Sequence, residues 1–98
     1  MVVRFKRADL ERLEVEVGYT AGLAAAVVTA YRRRMQQIRA APDERTFYAL
    51  KSLHFEKLKG DRTHQRSMRL NDQWRLILEF EEDPTGKVVV IVDIEDYH

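Results

Sequence analysis

The amino-acid sequence predicts one α+β domain over residues 1–98, with N-terminal helices packed on a mainly antiparallel twisted sheet. Two patterns support this prediction. In residues 21–40, apolar side chains recur at the spacing of one helix face. In residues 74–81 apolar side chains occupy every second position, and an apolar run at residues 88–92 follows the turn at residues 83–86, which indicates antiparallel strands. A chain of 98 residues is long enough for one hydrophobic core but not for two.

The N-terminal half is predicted to contain one strand and two helices. Residues 2–5 form the strand candidate, because apolar side chains alternate there with basic ones. Helical character begins at Asp9, and Gly18 is predicted to end this first helix. Thr20 is the predicted N-cap of the long second helix, which covers residues 21–40. The apolar stripe of this helix consists of Leu23, Val27, Val28, Tyr31, Met35 and Ile38.

Three consecutive arginines, Arg32–Arg34, lie in the middle of the long helix. A solvated helix face is the favoured interpretation of this run, and contact with nucleic acid is the alternative. Residues 41–43 contain a proline and end the helix. A short helical segment over residues 46–53 then leads into a turn at residues 59–61, where glycine and aspartate are typical turn formers.

The last two strands are predicted to form a hairpin around residues 83–86, Asp-Pro-Thr-Gly. A three-residue loop here pairs Asp83 with Lys87, and the remaining partners follow from this register. Every predicted apolar pair then lies on one face, which is the face expected to contact the helices. These pairs are Phe80 with Val90, Leu78 with Val92, and Leu76 with Ile94.

The preceding hairpin is predicted to bring two arginines together. A three-residue loop over residues 71–73 keeps the apolar side chains on the helix side and places Arg69 opposite Arg75 on the other face. Like charges that face each other across a ladder are destabilising, whereas a shared phosphate would stabilise both guanidinium groups. The alternative is that Glu95, predicted to lie opposite Arg75, neutralises it as an ordinary surface pair.

The chain ends on groups that can transfer protons, namely Asp96, Tyr97 and His98, which also carries the α-carboxylate. Cleavage of RNA without a metal needs a general base, a general acid and cations that stabilise the charged phosphorane. The terminal residues and the two arginines could supply all of these groups. Taken singly, the alternatives are that the tyrosine packs or anchors the chain and that the histidine is inert.

Composition excludes several functional classes. The absence of cysteine removes disulfides and Cys-based zinc sites, and the three histidines have no spacing that suggests a metal, so no metal or cofactor is expected. We expect no membrane span and no secretion signal, and hence a cytoplasmic protein. Residues 1–75 contain 16 basic and 9 acidic side chains, whereas residues 76–98 contain 1 and 7. A basic region beside an acidic one is compatible with a polyanionic partner.

Three ordered sequence blocks resemble the HigB-type toxins of the RelE/ParE superfamily. They are Leu-Lys-Gly-Asp-Arg at residues 58–62, Ser-Met-Arg-Leu-Asn-Asp-Gln-Trp-Arg at residues 67–75, and Asp-Tyr-His at residues 96–98. The resemblance implies a RelE-like fold and a ribosome-dependent endoribonuclease that cleaves mRNA, inhibits translation and leaves 2′,3′-cyclic phosphate ends. It also implies a helix-turn-helix antitoxin of the HigA type as partner.

Carried over by position, the resemblance makes Asp96, Tyr97 and His98 catalytic. It assigns the scissile phosphate to Arg69 and Arg75, and a contact with RNA to Lys59. His54 is a further catalytic candidate, although it lies two residues farther from the Leu58–Arg62 block than in relatives with a functional histidine, and its apolar neighbours favour half-buried packing. The alternative is a ParE-like toxin that inhibits DNA gyrase by binding and has no nuclease site; such a protein would not need the Asp-Tyr-His ending.

Overall fold

The computed structural model describes residues 1–96, which form three α-helices and a five-stranded sheet. The helices are α1 (Ala8–Val15), α2 (Ala25–Ala40) and α3 (Arg45–Ala49). The strands are β1 (Val2–Phe5), β2 (Glu56–Lys57), β3 (Gln65–Arg69), β4 (Trp74–Asp83) and β5 (Gly86–Asp96). Two single 3₁₀ turns, Lys51–Leu53 and Gly60–Arg62, lie between α3 and β3.

The strand order is β1-β5-β4-β3-β2, and only the β1–β5 pair is parallel among the described strands. Parallel neighbours need a long connection, and the chain between β1 and β5 contains all three helices and the other three strands. The other strands follow one another along the chain and pair antiparallel. The predicted α+β class with a mainly antiparallel sheet is therefore confirmed. Within the described residues, no helix combines the length and the apolar character needed to cross a membrane.

The core lies between α2 and one face of the sheet. All residues of the predicted α2 stripe from Val27 onward are buried, and Leu23 packs against them from a partly buried position. Tyr31 is fully buried, and its hydroxyl donates a 2.7 Å hydrogen bond to the carbonyl oxygen of Leu10 in α1. Burial raises the pKa of this tyrosine, so its hydroxyl stays a donor. The sheet contributes Met68, Leu76, Leu78, Val89 and Ile91.

Both predicted helix boundaries around residues 18–24 are wrong. α2 begins at Ala25 with Ala24 as its N-cap, because Ala21 and Gly22 have φ angles of 52° and 77° that no helix accommodates. Leu23 N–H donates instead to the carbonyl oxygen of Thr20, at 2.9 Å, in a turn. α1 already ends at Val15, so Gly18 does not terminate it. The predicted helical segment 46–53 is split into α3 and a 3₁₀ turn.

The arginine run in α2 is not simply a solvated face. Arg32 reaches back to the end of α1, where Nε donates to Leu13 O at 3.0 Å and Nη2 donates to Glu16 O at 2.7 Å. These carbonyls have no partner within the helix, so Arg32 acts as a C-terminal cap. Arg34 extends toward the sheet, and its Nε donates to the carbonyl oxygen of Arg69 at 2.8 Å. Among the three, Arg33 is exposed and has no hydrogen bond or ion pair with residues 1–96.

The β4–β5 register is correct near the chain end and wrong near the turn. Asp83 pairs with Gly86, so the loop has two residues rather than three. Asp83 Oδ1 accepts hydrogen bonds from Thr85 N at 2.8 Å and from Thr85 Oγ1 at 2.6 Å, and Gly86 adopts a φ of 127°. These contacts favour the tighter turn. Leu78 and Phe80 consequently face Ile91 and Val89 instead of the predicted Val92 and Val90.

A β-bulge restores the predicted register in the half of the hairpin remote from the loop. The pairing shifts by one residue between Ile77 and Leu78, and Val92 is the extra residue on β5. Beyond this shift Leu76 pairs with Ile94, as predicted. The bulge therefore separates the loop end of the hairpin from the end that carries the arginine pair.

Candidate functional site

The two predicted arginines are cross-strand neighbours. Arg69 pairs with Arg75, and Arg75 pairs with Glu95, so the three side chains form a row across β3, β4 and β5. Met68 and Leu76, the adjacent ladder pair, are fully buried against the helices. Because side chains alternate along a strand, the row lies on the opposite face of the sheet. This register was predicted from the sequence and is confirmed.

The loop between β3 and β4 fixes this register locally. Asn71 Oδ1 accepts hydrogen bonds from the backbone N–H groups of Gln73 and Trp74, at 2.9 and 2.8 Å. The side chain thereby closes a turn in place of a backbone carbonyl. Leu70 N–H donates to the carbonyl oxygen of Trp74 at 2.9 Å, as a three-residue loop requires. The Arg34 contact with the carbonyl of Arg69 anchors the same hairpin to α2.

A small cleft of about 200 Å³ is built around the arginines and His54. Arg75 is 8% exposed, and its Nη2 donates hydrogen bonds to the backbone carbonyls of His54 and Ser67. Arg69 forms an ion pair with Asp72, and its Nη1 lies 3.5 Å from Nε2 of His54. His54 thus contacts one arginine through its backbone and the other through its ring. Asn71 completes the lining of the cleft.

The backbone conformation of His54 produces this convergence. His54 follows the Lys51–Leu53 turn with φ of 45° and ψ of 51°, the left-handed region that few residues other than glycine adopt readily. Its side chain is exposed, so the expectation of half-buried packing between Leu53 and Phe55 is wrong. Both apolar neighbours are buried in the core. The left-handed turn lets the chain bury them while the imidazole lies beside Arg69.

A larger cleft of about 530 Å³ adjoins the first, and Arg75 lines both. It contains Lys59 and Asp96, together with Lys57 from β2 and Arg62. Lys59 is exposed and precedes the Gly60–Arg62 turn, in which Gly60 has a φ of 70°. The two clefts adjoin at Arg75, and their lining combines basic side chains with the carboxylates of Glu56, Asp72, Glu95 and Asp96.

Asp96 lies at the end of β5 opposite Trp74. Its Oδ2 accepts a 3.0 Å hydrogen bond from Nε2 of Gln73, which belongs to the loop next to the arginine pair. Tyr97 and His98 lie outside the described residues. Of the predicted site residues, the fold therefore brings His54, Arg69 and Arg75 into one cleft and places Lys59 and Asp96 in the adjoining one.

Arg62 is a site residue to which sequence reasoning assigned no role. Its Nη1 and Nη2 donate to the two carboxylate oxygens of Glu95, at 3.0 and 2.7 Å. The hydrogen bonds to Glu95 raise the pKa of the guanidinium. Both carboxylate oxygens of Glu95 are thus engaged by Arg62, whereas the sequence had suggested Arg75 as the partner of Glu95. Arg62 belongs to the Leu58–Arg62 block recognised in the sequence. Its partner Glu95 is 33 residues away, so no local pattern indicated this contact.

The clefts contain groups suited to phosphate chemistry. Guanidinium groups bind phosphate oxygens through parallel hydrogen bonds, and imidazole and carboxylate groups can transfer protons. No group of three or more His, Cys, Asp or Glu side chains within residues 1–96 is arranged to hold a metal ion. An exposed histidine beside two arginines is therefore the most distinctive chemical feature of the described surface.

Comparison with known proteins identifies the family. Residues 3–98 match the sequence model of the HigB-like toxins, described as the RelE-like toxin of the type II toxin–antitoxin system HigB. The chain belongs to this family. As a HigB-like type II toxin, it has an antitoxin as its partner. A search of curated proteins found no match.

A solved structure supports the RelE-like fold of this HigB-like toxin. The chain is similar to the YoeB/ParE toxin from Agrobacterium tumefaciens, with a TM-score of 0.66 and 14% sequence identity. The superposition covers 100% of both chains. At this identity the similarity establishes the fold, while the activity has to be argued from the clefts of the HigB-like toxin itself.

Proposed function

We propose that this HigB-like toxin is a ribosome-dependent endoribonuclease, which cleaves translated mRNA and leaves 2′,3′-cyclic phosphate ends. The observation that carries the proposal is the convergence of His54, Arg69 and Arg75 in one cleft beside the end of β5. The family membership supports the proposal, because RelE-like toxins of the HigB type are generally endoribonucleases. The protein would act in the cytoplasm without a metal or cofactor, and its antitoxin would be of the helix-turn-helix HigA type.

In this proposal the arginines bind the scissile phosphate. Arg75 is oriented by two backbone carbonyls, so its guanidinium needs little rearrangement when negative charge develops on the phosphorane. Arg69 lies opposite, and a phosphate between them would relieve the repulsion across the ladder. Asp72 would first have to release Arg69. An exposed ion pair of this kind contributes about 0–1 kcal/mol, so a phosphate can displace it at little cost.

Proton transfer in this proposal is the role of His54, Asp96, Tyr97 and His98. The 2′-hydroxyl must lose a proton to a general base as it attacks, and the leaving 5′-oxygen must gain one from a general acid. His54 is within reach of a phosphate bound to Arg69, and Asp96, Tyr97 and His98 follow directly on the strand position opposite Arg75. Lys59 would hold the RNA backbone in the larger cleft.

Cleavage of a reporter mRNA in a purified translation system tests the proposal. Wild-type protein should produce cut ends within the translated region, carrying cyclic phosphates, only when ribosomes translate the message. Arg75→Ala should lower the cleavage rate by about 10²-fold or more, because one transition-state charge contact is lost. Arg4→Ala is the control for removal of an arginine outside the clefts, since Arg4 is exposed and pairs with Asp83.

Two results would contradict the proposal. Intact mRNA after incubation with translating ribosomes would show that the protein has no ribosome-dependent nuclease activity. Inhibition of DNA gyrase supercoiling by the same preparation would then favour the ParE-like alternative. Equal cleavage by wild type and Arg75→Ala would show that the arginine pair does not bind the scissile phosphate.

A further inference from the structure

The ion pair between Arg62 and Glu95 joins two segments that are 33 residues apart. Arg62 ends the Gly60–Arg62 turn, whose first residue follows Lys59. Glu95 is the penultimate residue of β5, immediately before Asp96, and lies opposite Arg75. One bidentate contact therefore connects the turn that presents Lys59 to the strand end that leads into the proposed proton-transfer residues.

The geometry of Arg62 restricts its side chain to one orientation. Besides the two contacts with Glu95, its Nε donates to Oε1 of Gln65 at 2.8 Å. Gln65 is held in turn, because its Nε2 donates to Oε2 of Glu79 on β4 at 2.9 Å. A planar guanidinium bound at three nitrogens has little rotational freedom, and it transmits this restraint to the carboxylate it binds. Glu95 is thus fixed from β3 and β4 as well as by its own strand.

The same contact affects the charge around Arg75. Glu95 lies next to Arg75 in the ladder, on the surface where a phosphate is proposed to bind. An unbalanced carboxylate at this position would repel an incoming phosphate and compete for the arginine. Because Arg62 binds both oxygens of Glu95, the negative charge of this carboxylate is balanced next to Arg75.

We propose that Arg62 is a positioning residue of this toxin, which acts through Glu95 to hold the end of β5 and the Lys59 turn around the arginine pair. The inference rests on the proposed function, which assigns phosphate binding to the arginine pair. It predicts that the loss of Arg62 lowers toxicity whatever the target of the toxin is. Arg62 itself has no contact with the reacting atoms in this scheme. Its removal should therefore lower kcat more than it raises KM.

A double-mutant cycle on growth inhibition tests the inference. Arg62→Ala should reduce toxicity in induced cells, and cleavage on ribosomes should fall about 10- to 100-fold, the scale of misplaced catalytic groups. Glu95→Gln should show a similar defect. The double variant should be no more impaired than Arg62→Ala alone, because both changes disrupt one interaction. Hydrogen exchange at the amides of Ile94 and Asp96 should accelerate in all three variants.

Arg39→Ala is the matched control. Arg39 makes a bidentate pair with Glu14, at 2.7 Å for both contacts, between α2 and α1 on the other side of the protein. Its side chain is 48% exposed, against 40% for Arg62, so the two variants should lose similar stability. Arg39→Ala should nevertheless retain wild-type toxicity.

Wild-type toxicity of Arg62→Ala, or multiplicative effects of the two substitutions, would overturn the inference. If Arg62→Ala does not fold, the nearly isosteric Glu95→Gln decides, and wild-type toxicity of that variant overturns the inference as well. If the wild-type toxin cuts no mRNA, the proposed function fails. The cycle on toxicity and the exchange rates at the end of β5 then still determine whether Arg62 positions this strand.

Discussion

His54→Gly separates the chemistry of the imidazole from the backbone conformation that holds Arg75. The backbone carbonyl of His54 accepts a hydrogen bond from Arg75, and its φ of 45° is left-handed. Alanine at this position would keep the backbone strain, whereas glycine adopts the conformation without a steric cost. The substitution therefore removes the ring near Arg69 while preserving the carbonyl contact.

The expected change in stability is close to zero. A left-handed conformation costs a residue other than glycine roughly 1–2 kcal/mol, which the substitution relieves. Glycine also loses more conformational entropy on folding, which costs roughly 0.5–1 kcal/mol. The ring is exposed, so little apolar burial is lost. The free energy of unfolding should thus change by no more than about 1 kcal/mol in either direction.

The expected change in activity is much larger. If the imidazole transfers a proton, its loss should lower cleavage on translating ribosomes by about 10²- to 10⁴-fold. Urea unfolding of the same preparations measures the stability. Ala21→Gly is the matched control. Among the described residues other than glycine, only Ala21 and His54 have a positive φ, and Ala21 lies outside both clefts.

Two outcomes would refute the reasoning on His54. Cleavage at the wild-type rate by a folded His54→Gly protein would exclude the ring from the chemistry. A loss of several kcal/mol in stability, without a similar loss in an Ala21→Gly protein, would show that the imidazole is a packing residue.

Three further predictions follow from contacts outside the proton-transfer groups. Asp72→Asn should strengthen the binding of a short RNA up to about fivefold, because it removes a competing ion pair with Arg69 that contributes about 0–1 kcal/mol. Fluorescence anisotropy measures this affinity, and weaker binding would contradict the prediction. Arg32→Met should lower the urea-derived free energy of unfolding by about 1–3 kcal/mol, because the carbonyls at the end of α1 lose a charged donor, and an unchanged midpoint would show that water replaces it. Hydrogen bonds from Thr85 lower the pKa of Asp83 below its usual 3.8. The ionised Asp83 therefore stabilises the fold above pH 3.8, and this stabilisation is lost as the pH falls through the pKa of Asp83 in the folded protein. The stability difference between wild type and Asp83→Asn should accordingly be present at neutral pH and disappear in acid, and a difference that persists there would contradict the assignment.

The sequence predicts the arginine pair because two independent constraints agree. The loop at residues 71–73 and the alternation of apolar residues give the same register, so Arg69 opposite Arg75 follows from local information. At the β4–β5 loop the hydrophobic pattern agreed with the predicted register but also with the observed one. Residues 88–92 on β5 are all apolar, so either register pairs the apolar residues of β4 with apolar partners. The hydrophobic pattern therefore could not distinguish a two-residue from a three-residue loop.

Long-range polar contacts account for most of what the sequence did not predict. Arg32 caps a different helix, and Arg62 binds a carboxylate on a strand that is remote in sequence. Periodicity reports which face of an element is apolar, but it carries no information on where a long charged side chain ends. The location of His54 depended on one left-handed residue, for which the neighbouring apolar residues gave no indication.

The bulge between Ile77 and Leu78 divides the β4–β5 hairpin into two halves with different pairing registers. One half carries the row that includes Arg75, and the other ends in the exposed loop at residues 84–85. A change of one residue in loop length can be absorbed where the pairing already slips, instead of inverting every side chain along the strand. We therefore expect that an affinity tag inserted at residues 84–85 would leave the clefts undisturbed.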